Sequence, residues 1–154
     1  MNTTQLGALE AIERVINRES DAGAVVRQAV EVLHDRLDHY SWIGVYFVEG
    51  RELVLGPWLG PEPTEHTRIP IGAGICGAAA ASGRTEIVDD VNADDRYIAC
   101  FVSTRAEIVV PVIAAGRVVA EIDVDSDTRS AFAAGDQAFL ERVAVLISPF
   151  CERA

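Results

Sequence analysis

Lysine is absent from this chain, and all 13 basic residues are arginine. That excludes a Schiff-base enzyme, a P-loop phosphate lysine and a lysine general base. Histidine and cysteine are scarce, with three of each. His34, His39 and His66 show no metal-ligand spacing, so no metal is expected. No two of Cys76, Cys100 and Cys151 form a CxxC pair. No uncharged apolar run approaches the ~20 residues that span a bilayer. Residues 1–7 lack the basic patch and apolar run of a signal peptide. With an odd number of cysteines, this leads us to expect a reducing, cytoplasmic location. The net charge of -11 repels phosphate backbones, so neither nucleic acid nor an anionic membrane surface is an expected partner.

What is present suits a folded domain. The chain has 154 residues and is 49% hydrophobic, enough for one core. We expect a single domain over 1–154, with N-terminal helices over about 4–39, a core over about 40–130 and a C-terminal helix over about 136–152. Leu6, Leu9, Ile12 and Ile16 recur at helical spacing behind Thr3 and Thr4. Ser20 or Asp21 caps a second helix with Val25, Val26, Ala29, Val30, Leu33 and Leu37 on its apolar face. Strands over 40–48 and 52–59 form a hairpin around Glu49-Gly50-Arg51, and 107–113 and 118–125 form another. The proline-punctuated stretch 56–70 reads as loop, 77–82 as a short helix closed by Gly83, and 86–88 as a short strand. Residues 92–100 read as loop or helical turn, and Asp136 caps the last helix. Hairpins and helices in this order imply an α+β domain with an antiparallel sheet, one face of which is free to hold a ligand.

Several residues carry chemical interest. Gly72-Ala73-Gly74-Ile75-Cys76-Gly77 satisfies GxGxxG, but Pro70 upstream and a short helix downstream argue for a tight turn, not a dinucleotide site. Cys76 opens that helix, where the helix N-terminus favours a thiolate; it is otherwise a small buried residue. Cys100 lies in a loop near Arg96 and Arg105, open to either packing or chemistry. Glu121, Asp123 and Asp125 alternate along a strand and share one face, either solvated or clustered in a pocket with Glu107 from the neighbouring strand. Trp42 and Tyr46 share a face of the first strand, as core or as the wall of a ligand site. Cys151 has no apparent role.

Ser41-Trp42-Ile43-Gly44-Val45-Tyr46, Leu55-Gly56-Pro57, the run Arg68 to Gly77, Ile98-Ala99-Cys100, Glu107 to Pro111 and Ile122 to Ser126 occur in a telling order. Together with Arg129 to Asp136, this set resembles the free methionine-(R)-sulfoxide reductases, a GAF-domain family. The resemblance implies a six-stranded antiparallel sheet flanked by helices, a homodimer, no cofactor, and reduction of free methionine-(R)-sulfoxide by a thioredoxin-like reductant. Carried over by position, it makes Cys100 the nucleophile and Cys76 a second redox cysteine. It makes Glu107, Asp123 and Asp125 the grip on the substrate's ammonium group and sulfoxide oxygen, and Trp42 and Tyr46 the enclosure of its methyl-sulfoxide end.

The chain departs from the family in one place. The loop before the Arg-Ile-Pro string, Gly60 to Arg68, contains no cysteine and carries His66 near the position where the family has its main resolving thiol. Cys76 or a small external thiol would then resolve the sulfenic acid. The alternatives to the enzyme are a non-catalytic GAF module that binds a small molecule, and a redox sensor in which Cys76 and Cys100 pair without a substrate.

Overall fold

The computed structural model describes residues 1–99 and 101–152. Two helices lead. Helix α1 spans Thr3–Arg18 and α2 spans Ala22–Arg36. Asn2, not a threonine, caps α1: its side chain takes the Gln5 N–H, and Gln5 reaches back to the Asn2 N–H. The buried stripe of α1 runs through Ala8, Leu9, Ala11, Ile12 and Val15, and Leu6 is left half-exposed. Asp21 caps α2 by accepting from the Ala24 N–H.

Strands follow as β1 (Trp42–Glu49), β2 (Glu52–Leu59) and β3 (Arg68–Pro70). After α3 (Gly74–Ser82) come β4 (Glu86–Val88), β5 (Ala106–Ala114), β6 (Arg117–Ser126) and α4 (Ala134–Ile147). Among the described residues these strands form one six-stranded antiparallel sheet in the order β3-β2-β1-β6-β5-β4. The expected loop over 56–70 is therefore wrong at both ends, because β2 runs on to Leu59 and Arg68–Pro70 pairs with β2. Pro70 fits there because β3 is an edge strand with no outer partner for a missing N–H. Pro57 fits because the β1–β2 register shifts opposite it, a bulge that needs no ladder donor.

Period two divides the sheet into two unlike faces. Ile43, Val45 and Phe47 of β1, Ile108, Val110 and Val112 of β5, and Ala120, Ile122 and Val124 of β6 pack under α1, α2 and α4. Trp42 and Tyr46, Val109, and the acidic positions of β6 face the other way, toward α3. Asp136 does not cap α4 as expected. It lies in the first turn, where Oδ2 takes the Ala133 N–H at 3.0 Å and Oδ1 takes the Tyr40 hydroxyl at 2.9 Å. That buried bond ties the β1 entry to the last helix.

Candidate active site

The sheet register assembles the site. Asp123 stands between Gly44 of β1 and Val109 of β5; Asp125 stands between Trp42 and Glu107; Glu121 stands between Tyr46 and Pro111. All four carboxyl groups are at least 95% buried, as are Trp42 and Tyr46. The solvated-face reading of the alternating acids is thereby excluded.

Glycines make room for the aromatic wall. A Cβ at Gly44 would lie 2.5 Å from Trp42 Cη2, and one at Gly60 would lie 2.3 Å from Trp42 Cδ1. The indole is wedged between the two, stacked on Trp58 with centroids 6.1 Å apart and tilted against Phe101 at 5.9 Å. Its Nε1–H has no hydrogen-bond partner among the described residues.

The GxGxxG stretch is a turn. It follows a three-residue edge strand, precedes a nine-residue helix and belongs to an antiparallel sheet, so the βαβ context of a dinucleotide site is missing. Gly72 and Gly74 have φ values of 99° and 66°, which only glycine adopts freely. This turn leads into α3, which packs against β5 and β6 and places Cys76 by the acidic face, with Sγ 4.0 Å from Glu107 Oε2.

Of the two readings of Cys76, the geometry favours the small buried residue over a thiolate activated by the helix N-terminus. Burial pushes the thiol's pKa well up, and the charges of Asp123, Glu121 and Glu107 push it further. The helix N-terminus is outweighed because the residue is 94% buried among acids. The acids are perturbed in the same sense. Burial raises Glu121, Asp123 and Asp125, and hydrogen bonding of Glu107 toward Asp123 and Asp125 offsets only part of the rise. A hydrogen bond between two carboxyl groups requires a proton on one of them, so the cluster retains protons when exposed acids have lost theirs. Both oxygens of Glu121 and one each of Asp123 and Asp125 lack a hydrogen-bond partner among the described residues.

A small cavity of about 20 Å³ lies among Cys76, Glu107, Asp123, Tyr46, His66 and a set of isoleucines that includes Ile98. His66 and Ile98 are site residues that sequence reasoning did not assign. The His66 carbonyl accepts from the Tyr46 hydroxyl at 2.8 Å, and His66 Nε2 is 3.0 Å from the Ala99 carbonyl. A carbonyl only accepts, so Nε2 carries the proton. Cys100 lies outside the described residues. Its neighbours meet the site from both sides, Ala99 through His66 and Phe101 through Trp42. Cys151 is buried in the helical core, away from this face.

A six-stranded antiparallel sheet with helices on one face and a buried polar pocket on the other is a GAF domain, and the family model described as "GAF domain" matches residues 19–150. The free methionine-R-sulfoxide reductase of Escherichia coli is 32% identical over 120 residues, covering 78% of this chain and 72% of that protein. The type II free methionine-R-sulfoxide reductase of Thermoplasma acidophilum superposes with a TM-score of 0.82 at 37% identity, covering 84% of this chain and 92% of that one. The free methionine-R-sulfoxide reductase of Neisseria meningitidis, solved with its substrate, gives a TM-score of 0.87 at 35% identity, covering 97% of this chain and 91% of that one. The chain belongs to the GAF-domain free methionine-(R)-sulfoxide reductase family. No helix among its described residues is long and apolar enough to cross a membrane.

Proposed function

We propose that this protein reduces free methionine-(R)-sulfoxide to methionine, with Cys100 as nucleophile and the buried acids as the substrate's anchor. One observation carries the reading: a wall of four buried carboxyl groups shares a sheet face with Trp42 and Tyr46. Glu121, Asp123 and Asp125 form no salt bridge among the described residues. Buried carboxylates without a counter-charge are costly by several kcal/mol, roughly, and a substrate ammonium group supplies that charge.

The chemistry follows from the same imbalance. An ammonium held by the acids opposes the rise that burial gives Asp123 and Asp125, so the cluster has a proton to give up. Transfer toward the sulfoxide oxygen makes the sulfur electrophilic. The Cys100 thiolate attacks that sulfur and forms an S–S bond; the oxygen then passes from the substrate sulfur to the Cys100 sulfur as the S–O and S–S bonds break, leaving a sulfenic acid and free methionine. Methionine gains the two electrons that Cys100 loses. The Cys76 thiol then condenses with the sulfenic acid, forming a disulfide and water. A thioredoxin-type dithiol reduces the disulfide. Trp42 and Tyr46 enclose the methyl-sulfoxide end, the part of the substrate that distinguishes it from other amino acids.

The cavity of about 20 Å³ admits one water molecule, not an amino acid. Substrate entry therefore requires movement of the segment that carries Ile98 and Ala99, which His66 holds against the pocket.

The test uses reduced protein, excess dithiothreitol, and the R and S isomers of free methionine sulfoxide supplied separately, with methionine quantified. Methionine from the R isomer alone, lost in Cys100→Ser, is the expected result. No methionine from either isomer would leave a binding or sensing GAF module in its place.

A further inference from the structure

We infer that Cys76, Glu107 and Asp123 form a binding site for a single zinc-type divalent ion. The three residues come from α3, β5 and β6, and one donor atom from each lies within 4.8 Å of the other two. Their convergence is invisible in linear spacing, because 31 residues separate Cys76 from Glu107.

The donor set is selective. An ammonium group gains nothing from a thiol, whereas a borderline-soft metal binds thiolate and carboxylate together. Calcium takes at least about six oxygen ligands and magnesium demands an octahedron, which three protein donors including sulfur do not provide. Tetrahedral zinc with a Zn–S bond of about 2.3 Å and Zn–O bonds of about 2.0 Å holds its donors about 3.5 Å apart. The Cys76 Sγ to Glu107 Oε2 separation is 4.0 Å, so that pair need close by about half an ångström, and the remaining pairs, all within 4.8 Å, by about 1.5 Å at most.

A second feature points to a ligand independently. The cavity of about 20 Å³ is bounded by all three donors, and its volume matches one ion or one water molecule. Asp123 is 97% buried, and its Oδ1 has no hydrogen-bond partner among the described residues. Glu121, fully buried two residues along the same strand face, has both oxygens unpartnered among the described residues. Ile69, Ile75 and Tyr46 keep the surroundings apolar, where a metal–carboxylate attraction is weakly screened. Three protein ligands leave a fourth position for water.

Binding exchanges the Cys76 thiol proton, together with the proton that Glu107 and Asp123 share, for the metal and releases both to solvent; no electron moves. An ion held there keeps Cys76 as a metal thiolate, unavailable for disulfide formation. It also fills the acidic pocket that the substrate's ammonium group would enter.

The test requires no turnover, so it stands or falls apart from the reductase reading. Reduced, metal-free protein is titrated with Co²⁺ as a spectroscopic substitute for zinc. The expected result is a near-ultraviolet thiolate-to-cobalt charge-transfer band that saturates at one ion per chain and disappears on adding Zn²⁺. Cys151→Ser retains the band and Cys76→Ser lacks it. Asp123→Asn keeps the thiol and lowers Co²⁺ affinity by about 10-fold or more. Circular dichroism checks that each variant is folded. Absence of the band in the unaltered protein, its survival in Cys76→Ser, or unchanged affinity in folded Asp123→Asn overturns the inference.

Discussion

His66 donates from Nε2 to the Ala99 carbonyl at 3.0 Å, joining the loop after β2 to the segment that precedes β5. The same histidine accepts the Tyr46 hydroxyl on its own carbonyl, so one residue links an aromatic wall of the pocket to the strap across it. A hydrogen bond of this kind contributes about 1 kcal/mol net, a factor of about five in an opening equilibrium. His66→Ala is expected to raise amide exchange in residues 92–104 about 5-fold and to raise KM for the sulfoxide by a similar factor, with kcat little changed. Hydrogen exchange and steady-state kinetics measure the two. Unchanged exchange in the strap would mean that the bond does not hold it.

Cys76 presents an opposite relationship to its expected chemistry. Burial and three neighbouring acids hold its thiol protonated, and only the thiolate is nucleophilic. Below a raised thiol pKa, the thiolate fraction grows about 10-fold per pH unit. If Cys76 resolves the sulfenic acid, turnover driven by thioredoxin is therefore expected to rise with pH, while turnover driven by dithiothreitol rises less. Cys76→Ser is expected to lose about 100-fold or more of the thioredoxin-driven rate and to stay within about 3-fold with dithiothreitol. Equal losses with both reductants would place Cys76 in the first chemical step instead.

These two residues mark where the sequence was legible and where it was not. Alternation along 121–125 and 42–46 identified a shared face, because a strand's side chains are set by period two alone. The two hairpins were equally plain, each with a glycine turn between alternating runs. The edge strand at Arg68–Pro70 was hidden by its proline and by its length of three residues. The two readings of Cys76 stayed open in the sequence because proximity to a helix start is local, whereas the acids that oppose a thiolate arrive from β5 and β6 through tertiary pairing. Glu121 was visible in the pattern, yet its isolation could not be read from the chain. It depends on Tyr46 and Pro111, which flank it across the ladder and offer its oxygens no partner.

Glu121 should be detectable in stability. Burial first, then the charge of Asp123, raises its folded-state pKa well above the ordinary 4.5. Between those two values the unfolded chain has lost the proton and the folded protein retains it, so stability falls as pH rises. The slope is about 1.4 kcal/mol per pH unit for one such group. The stability is fully present below pH 4.5 and is lost as pH climbs toward the folded-state value. Glu121→Gln removes one proton from this linkage. Urea unfolding from pH 5 upward, without ligand, is expected to show a loss in the unaltered protein steeper than in the variant, by at most about 1.4 kcal/mol per pH unit, until the folded-state value is reached. Parallel pH profiles would mean that Glu121 ionises alike in both states.

The wedged indole gives a sharper structural test. Gly60 lies so close to Trp42 that an added methyl would meet Cδ1 at 2.3 Å and Cγ at 2.9 Å. The far edge of the ring already fills the space that a Cβ at Gly44 would take, 2.5 Å from Cη2, so little room is left on that side. Nor can it tilt freely, with Trp58 stacked on it at 6.1 Å and Phe101 at 5.9 Å. Gly60→Ala must displace the ring or the loop, at about 1–3 kcal/mol for overpacking. If Trp42 encloses the methyl-sulfoxide end, KM is expected to rise about 10-fold while the dithiothreitol-driven kcat changes less. The displacement itself is read from Trp42 fluorescence in a Trp58→Phe background, which leaves one indole to report. A shifted emission maximum with unaltered KM would separate the ring from substrate binding and assign it to the core alone.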